Sequence, residues 1–439
     1  MKVHNRIRIG LLTVLMLGML ATLARAQQRY DLLLKGGHVI DSKNSIDRIT
    51  DVAIANGKVA RVADNIPAMD AKKTVNVSGL YVTPGLIDIH VHVYAGTGRA
   101  NSYAGDWSLY PDSYTFRTGV TTVCDAGTSG WRNFPDFKDR VIDRAKTRVL
   151  AWVNIEGYGM ENAAVQQDPR NMDAVSAART VQNYPDIVIG IKTAHYAGAD
   201  WVALDGAIAA GTISHVPVMV DYGPGHPNRP FSEALKKMRP GDIYTHTYGR
   251  PRPLLDERGN IRPEFVEARQ RGIIFDVGHG EGSFLYRQVV PAIQKGFVPD
   301  SISTDMHAGN MNGGMKDILN VMSKLLNIGV SLPDVIRLTT LNPAKEIQRP
   351  QLGNLSVGAD ADIAVLRLRK GDFGFVDVNG ARMAGTEKLE AELTIRAGNV
   401  VWDLNGITRD DWRSLPPDYG LQGDDSWDGT MHHKVLPDR

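Results

Sequence analysis

The apolar positions of this chain change rhythm twice. Residues 29–83 show short alternating runs, Tyr30–Lys35, His38–Asp41, Asp51–Ala55, Lys58–Val62 and Thr74–Val77, separated by Gly36-Gly37 and Asn56-Gly57. An Asn-Gly pair between alternating runs is a strong hairpin signal, so this part reads as strands without helices. From Thr83 to about Arg349 the pattern becomes apolar strand, loop and amphipathic helix, repeated. Eight strands are expected: Gly85–Ile89, Thr121–Asp125, Val149–Ile155, Val188–Lys192, Val216–Val220, Ile243–His246, Ile273–Val277 and Ser301–Thr304. Helical stretches fall between them at Asp136–Lys146, Ala174–Asn183, Trp201–Thr212, Ser232–Met238 and Pro263–Arg271. Strictly alternating strands and helices over this length indicate an α/β fold, a (β/α)₈ TIM barrel. An open dinucleotide-binding sheet is the competitor, but no G-x-G-x-x-G opens a helix after the first strand. From Leu352 short strands return, at Ile363–Leu366, Leu393–Arg396 and Val400–Trp402.

The expected organisation is therefore a barrel at 84–350 and a small β-sandwich built from both ends, 27–83 and 351–403. A polar tail follows at 404–439. Residues 1–26 differ from everything after them. Lys2, Arg6 and Arg8 precede an apolar run from about Ile9 to Leu23, and Ala24-Arg25-Ala26 supplies a small-x-small cleavage pattern. These are the parts of a secretory signal peptide, which implies a periplasmic or secreted protein with no stable membrane association after cleavage. The run is short for a spanning helix, which takes about 20 residues.

Composition narrows the function without naming it. With 50 basic and 49 acidic side chains the net charge is +1, which offers no field for nucleic acid. A small-molecule substrate is the expected partner, and the sequence is compatible with a homo-oligomer. Cys124 is the single cysteine, so no internal disulfide can form, and its apolar surroundings mark a buried structural thiol.

The chemistry lies at the ends of the barrel strands, where such folds keep their active sites. Strand one ends Asp88-Ile89-His90-Val91-His92, and residues two apart in a strand share a face. His90 and His92 therefore project together, and imidazole is a common ligand of zinc-like ions. Strand four ends in Lys192, strand five in Asp221, strand six in His246 and strand eight in Asp305. A lysine ammonium is a poor neighbour for a metal ion, having no lone pair. It fits if carboxylated to a carbamate, whose two oxygens can bridge two ions; pairing with Asp221 or another acid is the plain alternative.

The run Val82–His92 resembles the signature of the amidohydrolase superfamily, as do "LTTLNPAKEI" (338–347) and "GADADIAVL" (358–366). "RPGDIYTHTYG" (239–249), "FDVGHGEGSF" (275–284) and "SISTDMHAGN" (301–310) resemble its dihydroorotase-like amidohydrolase/deacetylase branch. The resemblance implies His90 and His92 on a buried metal, with Asp305. It places carboxylated Lys192 as the bridge, and Asp221 with His246 on a second ion. One or two zinc ions are expected, with manganese an option. Asp221 departs from the pattern, which commonly has histidine there; His195 and His215 are weak stand-ins.

The reaction these parts imply is hydrolysis of a non-peptide carbon–nitrogen bond in a small molecule by metal-bound hydroxide. Deacetylation of an N-acyl acid and opening of a cyclic amide are the examples. Asp305 is the expected proton acceptor, and His279 is expected to bind substrate or the oxyanion. His307 is a candidate to orient a ligand, and Glu156 a further inner carboxylate. Tyr94, Tyr196, Tyr222, Tyr248, Arg250 and Arg252 are loop candidates for substrate selection, and a flexible loop is expected at Asn310–Asn312. Lactone or ester hydrolysis at the same site, or a non-catalytic metal-binding relative, are the alternatives.

Overall fold

Strands β1 (Tyr30–Asp41), β2 (Ile46–Ala55), β3 (Lys58–Ala63), β4 (Ala71–Asn76) and β5 (Tyr81–Pro84) open the computed structural model, which describes residues 28–417 and 419. The expected leader and nearly all the residues beyond 417 lie outside the described residues. Each of the seven barrel strands that follow starts within two residues of its expected position: β6 (Leu86–Val91), β7 (Val120–Gly130), β8 (Arg148–Asn154), β9 (Val188–Ala194), β10 (Val218–Asp221), β11 (Ile243–Tyr244) and β12 (Ile274–Phe275); β7 runs five residues further than expected, and β11 and β12 end two residues sooner. They form one parallel sheet in the order β12-β11-β10-β9-β8-β7-β6.

The eighth expected strand is present as single bridges. Ser301 pairs with Asp276 and Met306 with Val91, both parallel. Asp305 N–H donates to His90 O at 2.7 Å, and His92 N–H to Met306 O at 2.9 Å. Residues 301–306 thus join the last strand to the first and curl the sheet into a ring. Inside it Ile87, Ile89, Leu150, Trp152, Ile189, Met219 and Ile243 pack with Cys124, which is buried as expected. Trp152 spans this interior and gives its indole N–H to Ile89 O at 2.9 Å. It fits because Gly190 has no Cβ, which would stand 2.4 Å from Trp152 Cζ3.

Helices Ala174–Asn183, Val202–Ser214, Phe231–Lys237 and Pro263–Gln270 match expectation within two residues. The stretch read as a helix over Asp136–Lys146 is instead one α-turn, Phe134–Phe137, and a π-turn, Lys138–Ile142. It packs only Phe134, Phe137 and Val141 as buried residues, too few for a long helical face. His215 closes helix Val202–Ser214 in the left-handed conformation, which makes it a cap far from any ligand.

The two ends of the chain do pair. β5 lies between β1 and β13 (Ile363–Val376), and β14 (Arg382–Arg396) and β15 (Asn399–Asp403) follow. The hydrogen bonding is that of one eight-stranded sheet, branched where β1 turns from β4 to β5 around Gly36-Gly37, where the sequence reading expects a sandwich. The β13–β14 hairpin is far longer than the sequence suggests. Residues 367–388 are rich in charges and show no sustained alternation, and contacts with helix Ile318–Ile328 and with the loop at 284–286 help to fix them: Val378 N–H donates to Phe284 O at 3.2 Å and Asp377 accepts Tyr286 N–H at 3.3 Å. Ser323 Oγ accepts Leu389 N–H at 3.0 Å and Asn327 Oδ1 accepts Thr386 N–H at 2.7 Å.

Sheet and barrel meet at a charged joint. Arg148 donates to Asp362 Oδ2 and to Asp360 Oδ2, both at 2.6 Å, and Arg396 donates to Asp362 Oδ1 at 3.1 Å. Replacing Asp362 with alanine removes the carboxylate from Arg396 and leaves Arg148 with the Asp360 carboxylate alone, a loss of about 2–4 kcal/mol. Urea unfolding of Asp362→Ala is expected to show it as a lowered midpoint, whereas an unchanged midpoint removes the joint from the stability of the fold.

Candidate metal centre

Imidazole nitrogens ligate only if the correct one carries the lone pair, and here buried hydroxyls decide which. Thr245 donates its hydroxyl proton to Asp276 Oδ2 at 2.8 Å, so its oxygen accepts His90 Nδ1–H at 2.9 Å. Asp276 is itself fixed by the hydroxyls of Ser301 and Ser303, at 2.9 and 2.6 Å. On the other side His92 Nδ1 meets Thr128 Oγ1 at 2.8 Å. The Thr128 hydroxyl leans on buried Asp125, and its amide donates to Asp125 Oδ1 at 2.8 Å. Both rings therefore present Nε2 to the same point. Asp305 Oδ1 lies 3.0 Å from His92 Nε2 and 3.3 Å from His90 Nε2. His90, His92 and Asp305 form a three-donor group able to hold a cation.

A second group faces it. Asp221 ends β10, two residues after Met219 on the inward face. Its Oδ2 is 3.5 Å from His246 Nε2 and 3.3 Å from His195 Nε2. His246 Nδ1–H donates to Gly278 O at 2.7 Å, which again frees Nε2. His195, set aside by the sequence reading, is thus brought to the site. Its signal was faint because it lies three residues past Lys192, where the backbone leaves the strand. His195, His246 and Asp305 all adopt positive φ (58°, 65° and 54°), a conformation that side-chain-bearing residues rarely hold without tertiary support.

Lys192 stands between the two groups. It is wholly buried, with Nζ 3.2 Å from His90 Nε2, 3.7 Å from Met219 Sδ and 4.0 Å from Asp221 Oδ2. Gly127 makes its place, since a Cβ there would meet Lys192 Cβ at 2.6 Å. Burial lowers the Lys192 ammonium against the pull of Asp221 and Asp305. Burial likewise holds His90 well below the usual imidazole range, helped by Lys192. Burial alone would raise the carboxyl groups of Asp305 and Asp221. The surrounding histidines outweigh it and keep both ionised. Burial disfavours charge on His246 too, but Asp221 lifts it to about 9. Neutral imidazoles at His90 and His92 with ionised Asp305 are ready donors for a divalent ion, whereas His246 must give up the proton that Asp221 holds on it before it can ligate.

Other expected site residues are placed differently. His279 is buried with both nitrogens engaged: Nδ1 lies 3.0 Å from Gly280 O and Nε2 accepts from Lys324 Nζ at 2.8 Å. Its ring also stacks on Phe284 at 4.7 Å, so it is a wall residue with nothing left to offer an oxyanion. The hydroxyls of Tyr94, Tyr196, Tyr222 and Tyr248 are committed to Asp136, Asp200, Arg229 O and Phe297 O. Arg250 binds Asn379, and Arg252 binds Gly223 O while lying over Tyr222. Asn310 is buried, tying Asp305 O to His307 N–H, while Asn312 and Gly313, in the run Asn312–Gly314 also read as a flexible loop, are exposed. His307 accepts Gly309 N–H at Nδ1 and turns Nε2 toward Glu281, 3.9 Å away. Glu156 is buried at the end of β8, and burial lifts it to about 8.

Tyr103 was not foreseen. It lies in the loop after β6, with its ring 4.7 Å from His92, 5.1 Å from His307 and 6.3 Å from His195, braced edge-on by Trp107 at 4.9 Å. Burial and the nearby Asp305, Glu281 and Asp221 keep its phenol protonated.

Comparison with known proteins follows the same lines. Residues 286–401 match the amidohydrolase family domain. A deacetylase of Enterococcus faecalis is 31% identical over 383 residues, covering 84% of this chain and 99% of that protein. The chain belongs to the amidohydrolase family. A second deacetylase relative, from Brucella anthropi, is 31% identical over 76% of the chain and 83% of its own length. Among solved structures, one described as an adenine deaminase is 32% identical with a TM-score of 0.78, covering 85% of this amidohydrolase and all of its own chain. One described as a dihydroorotase is 26% identical, with a TM-score of 0.71 over 85% and 99% of the two chains. This amidohydrolase is accordingly a hydrolase of carbon–nitrogen bonds.

The hydroxyl supports of the imidazoles are open to test. Thr245→Val and Thr128→Val keep the side-chain volume but lose the acceptor that sets each Nδ1–H. Zinc affinity by competitive chelator titration is expected to fall roughly 10–100-fold in each. Unchanged affinity would mean that the tautomers are set by the metal alone.

Proposed function

We propose that this amidohydrolase is a metal-dependent deacylase of small N-acyl acids, working with a carboxylated Lys192 outside the cytoplasm. The observation that carries the reading is the position of Lys192, wholly buried between two groups of histidine and aspartate, where burial lowers its affinity for a proton. An unprotonated amine is the form that adds carbon dioxide, and the carbamate would replace a poorly placed cation with two oxygens. The deacetylase relatives, which match 84% and 76% of the chain, support deacylation over the other carbon–nitrogen chemistries. The leader-like residues 1–26 support a periplasmic or secreted setting, with zinc as the first metal to try and manganese as the second.

A divalent ion held by His90, His92 and Asp305, with Lys192 shared toward Asp221 and His246, would activate water and polarise the scissile carbonyl. The protein's own groups do the rest. Asp305 turns Oδ1 to the imidazoles and keeps Oδ2 against Gly280, so Oδ2 is the atom to take the proton from water and return it to the leaving nitrogen. Tyr103 replaces His279 as the neutral donor, its hydroxyl offered to the oxygen that gains charge. Trp107 holds that ring in place and extends an apolar shelf toward solvent.

Two measurements test this. Chelation with dipicolinate is expected to abolish hydrolysis of an N-acetyl amino acid panel, and zinc or manganese to restore it. Turnover of adenine, dihydroorotate or acyl esters in preference to every N-acyl acid would overturn the assignment. Tyr103→Phe is expected to lower kcat about 100-fold with KM nearly unchanged. A kcat within twofold of the parent removes Tyr103 from the chemistry.

A further inference from the structure

We infer that His195 is a ligand of the second metal position, completing a donor set that Asp221 alone leaves short. This rests on the metal-dependent reading above and adds a residue to it. Three nitrogens converge on Asp221 Oδ2: His195 Nε2 at 3.3 Å, His246 Nε2 at 3.5 Å and Lys192 Nζ at 4.0 Å. His195 is built for this task. Gln166, itself buried, accepts its Nδ1–H at Oε1, 2.8 Å away, which leaves the Nε2 lone pair facing inward. Gln167 holds its carbonyl at 2.7 Å, and Gly223 lies so close that a Cβ there would sit 2.5 Å from His195 Cα. The backbone is thereby clamped in its left-handed conformation between the loops after β9 and β10.

Packing does not explain this care, because the His195 side chain remains 38% exposed. The donor chemistry does. With His195 counted, each position has two imidazoles and one carboxylate, His90, His92 and Asp305 against His195, His246 and Asp221, with Lys192 between. Where the family pattern has a histidine at 221, this chain has an acid at 221 and an imidazole from the neighbouring strand end. Two imidazoles and an oxygen suit zinc with a fourth donor from Lys192.

The test uses the full chain and zinc itself, read by equilibrium dialysis with elemental analysis and by the visible spectrum of the cobalt-substituted protein. The parent is expected to bind two equivalents. His195→Ala should keep the first at parental affinity, which also reports a folded barrel, and weaken the second roughly 100-fold or more. His195→Gln serves the same purpose if the alanine variant fails to fold. In Asp221→His the family histidine returns, so adding His195→Ala to it should leave two equivalents bound. Two equivalents at unchanged affinity in His195→Ala overturn the assignment of His195 alone and reduce it to an ion pair with Asp221. A parent that binds fewer than two equivalents overturns the two-metal reading and this inference together.

Discussion

Closure of the barrel by residues 301–306 is the constraint on which the site depends. Hydrogen bonds from Asp305 N–H to His90 O and from His92 N–H to Met306 O tie the last segment to the first strand, about 215 residues away in the chain. The same contact that closes the ring sets Asp305 Oδ1 against both imidazoles. Asp88 reinforces it, accepting the hydroxyl and amide of Thr304 at 2.5 and 3.1 Å while also receiving His90 N–H. Stability and donor geometry are therefore one set of interactions: loosening the closure would displace the carboxylate from its histidines.

A second layer turns this frame into a chemical site. The region beneath the metal donors is dry and rich in polar groups, which is costly unless every group is paired. Asp276 satisfies three hydroxyls at once, Asp125 serves Thr128 and Val93 N–H at 2.8 Å, and each chain of bonds ends at an imidazole Nδ1. Hydroxyls suit this role better than carboxylates placed directly on the rings. They accept the ring proton without bringing a further negative charge beside the donors, and the charge stays one residue removed, on Asp276 and Asp125.

Much of this was legible in the sequence, for identifiable reasons. The barrel strands are buried on both sides and read as apolar runs, and their ends carry residue types with no reason to be buried except function. His90, His92, Lys192, Asp221, His246 and Asp305 were visible on those grounds and do converge. What escaped depended on loop conformation. His195 follows its strand by one residue in a left-handed turn, and Tyr103 lies eleven residues past His92 in a loop without period. His279 misled for the opposite reason: its flanking glycines suggested an open approach, whereas they make room for Thr245, His246 and Asp305, and Lys324 and Phe284 occupy the ring itself. The long β13–β14 hairpin was hidden because its charged residues are ordered by tertiary contacts, with the helix beneath it and with the loop at Phe284–Tyr286.

The locking of so many mouth residues bears on selectivity. Tyr94, Tyr196, Tyr222 and Tyr248 spend their hydroxyls inside the structure, and Arg229 fastens the loops after β9 and β10 through Gly198 O and Tyr196 O at 2.6 and 2.8 Å. Arg250 is drawn aside by Asn379 at the tip of the β13–β14 hairpin, and Arg252 by Gly223 O. These groups define a stiff rim rather than a reading head. The groups left facing outward are Tyr103, Trp107 and Glu281, the last 59% exposed. An aromatic shelf beside the exposed Glu281 carboxylate, 3.9 Å from His307 Nε2, would hold a flat or apolar substituent and would repel an anion placed close to Glu281.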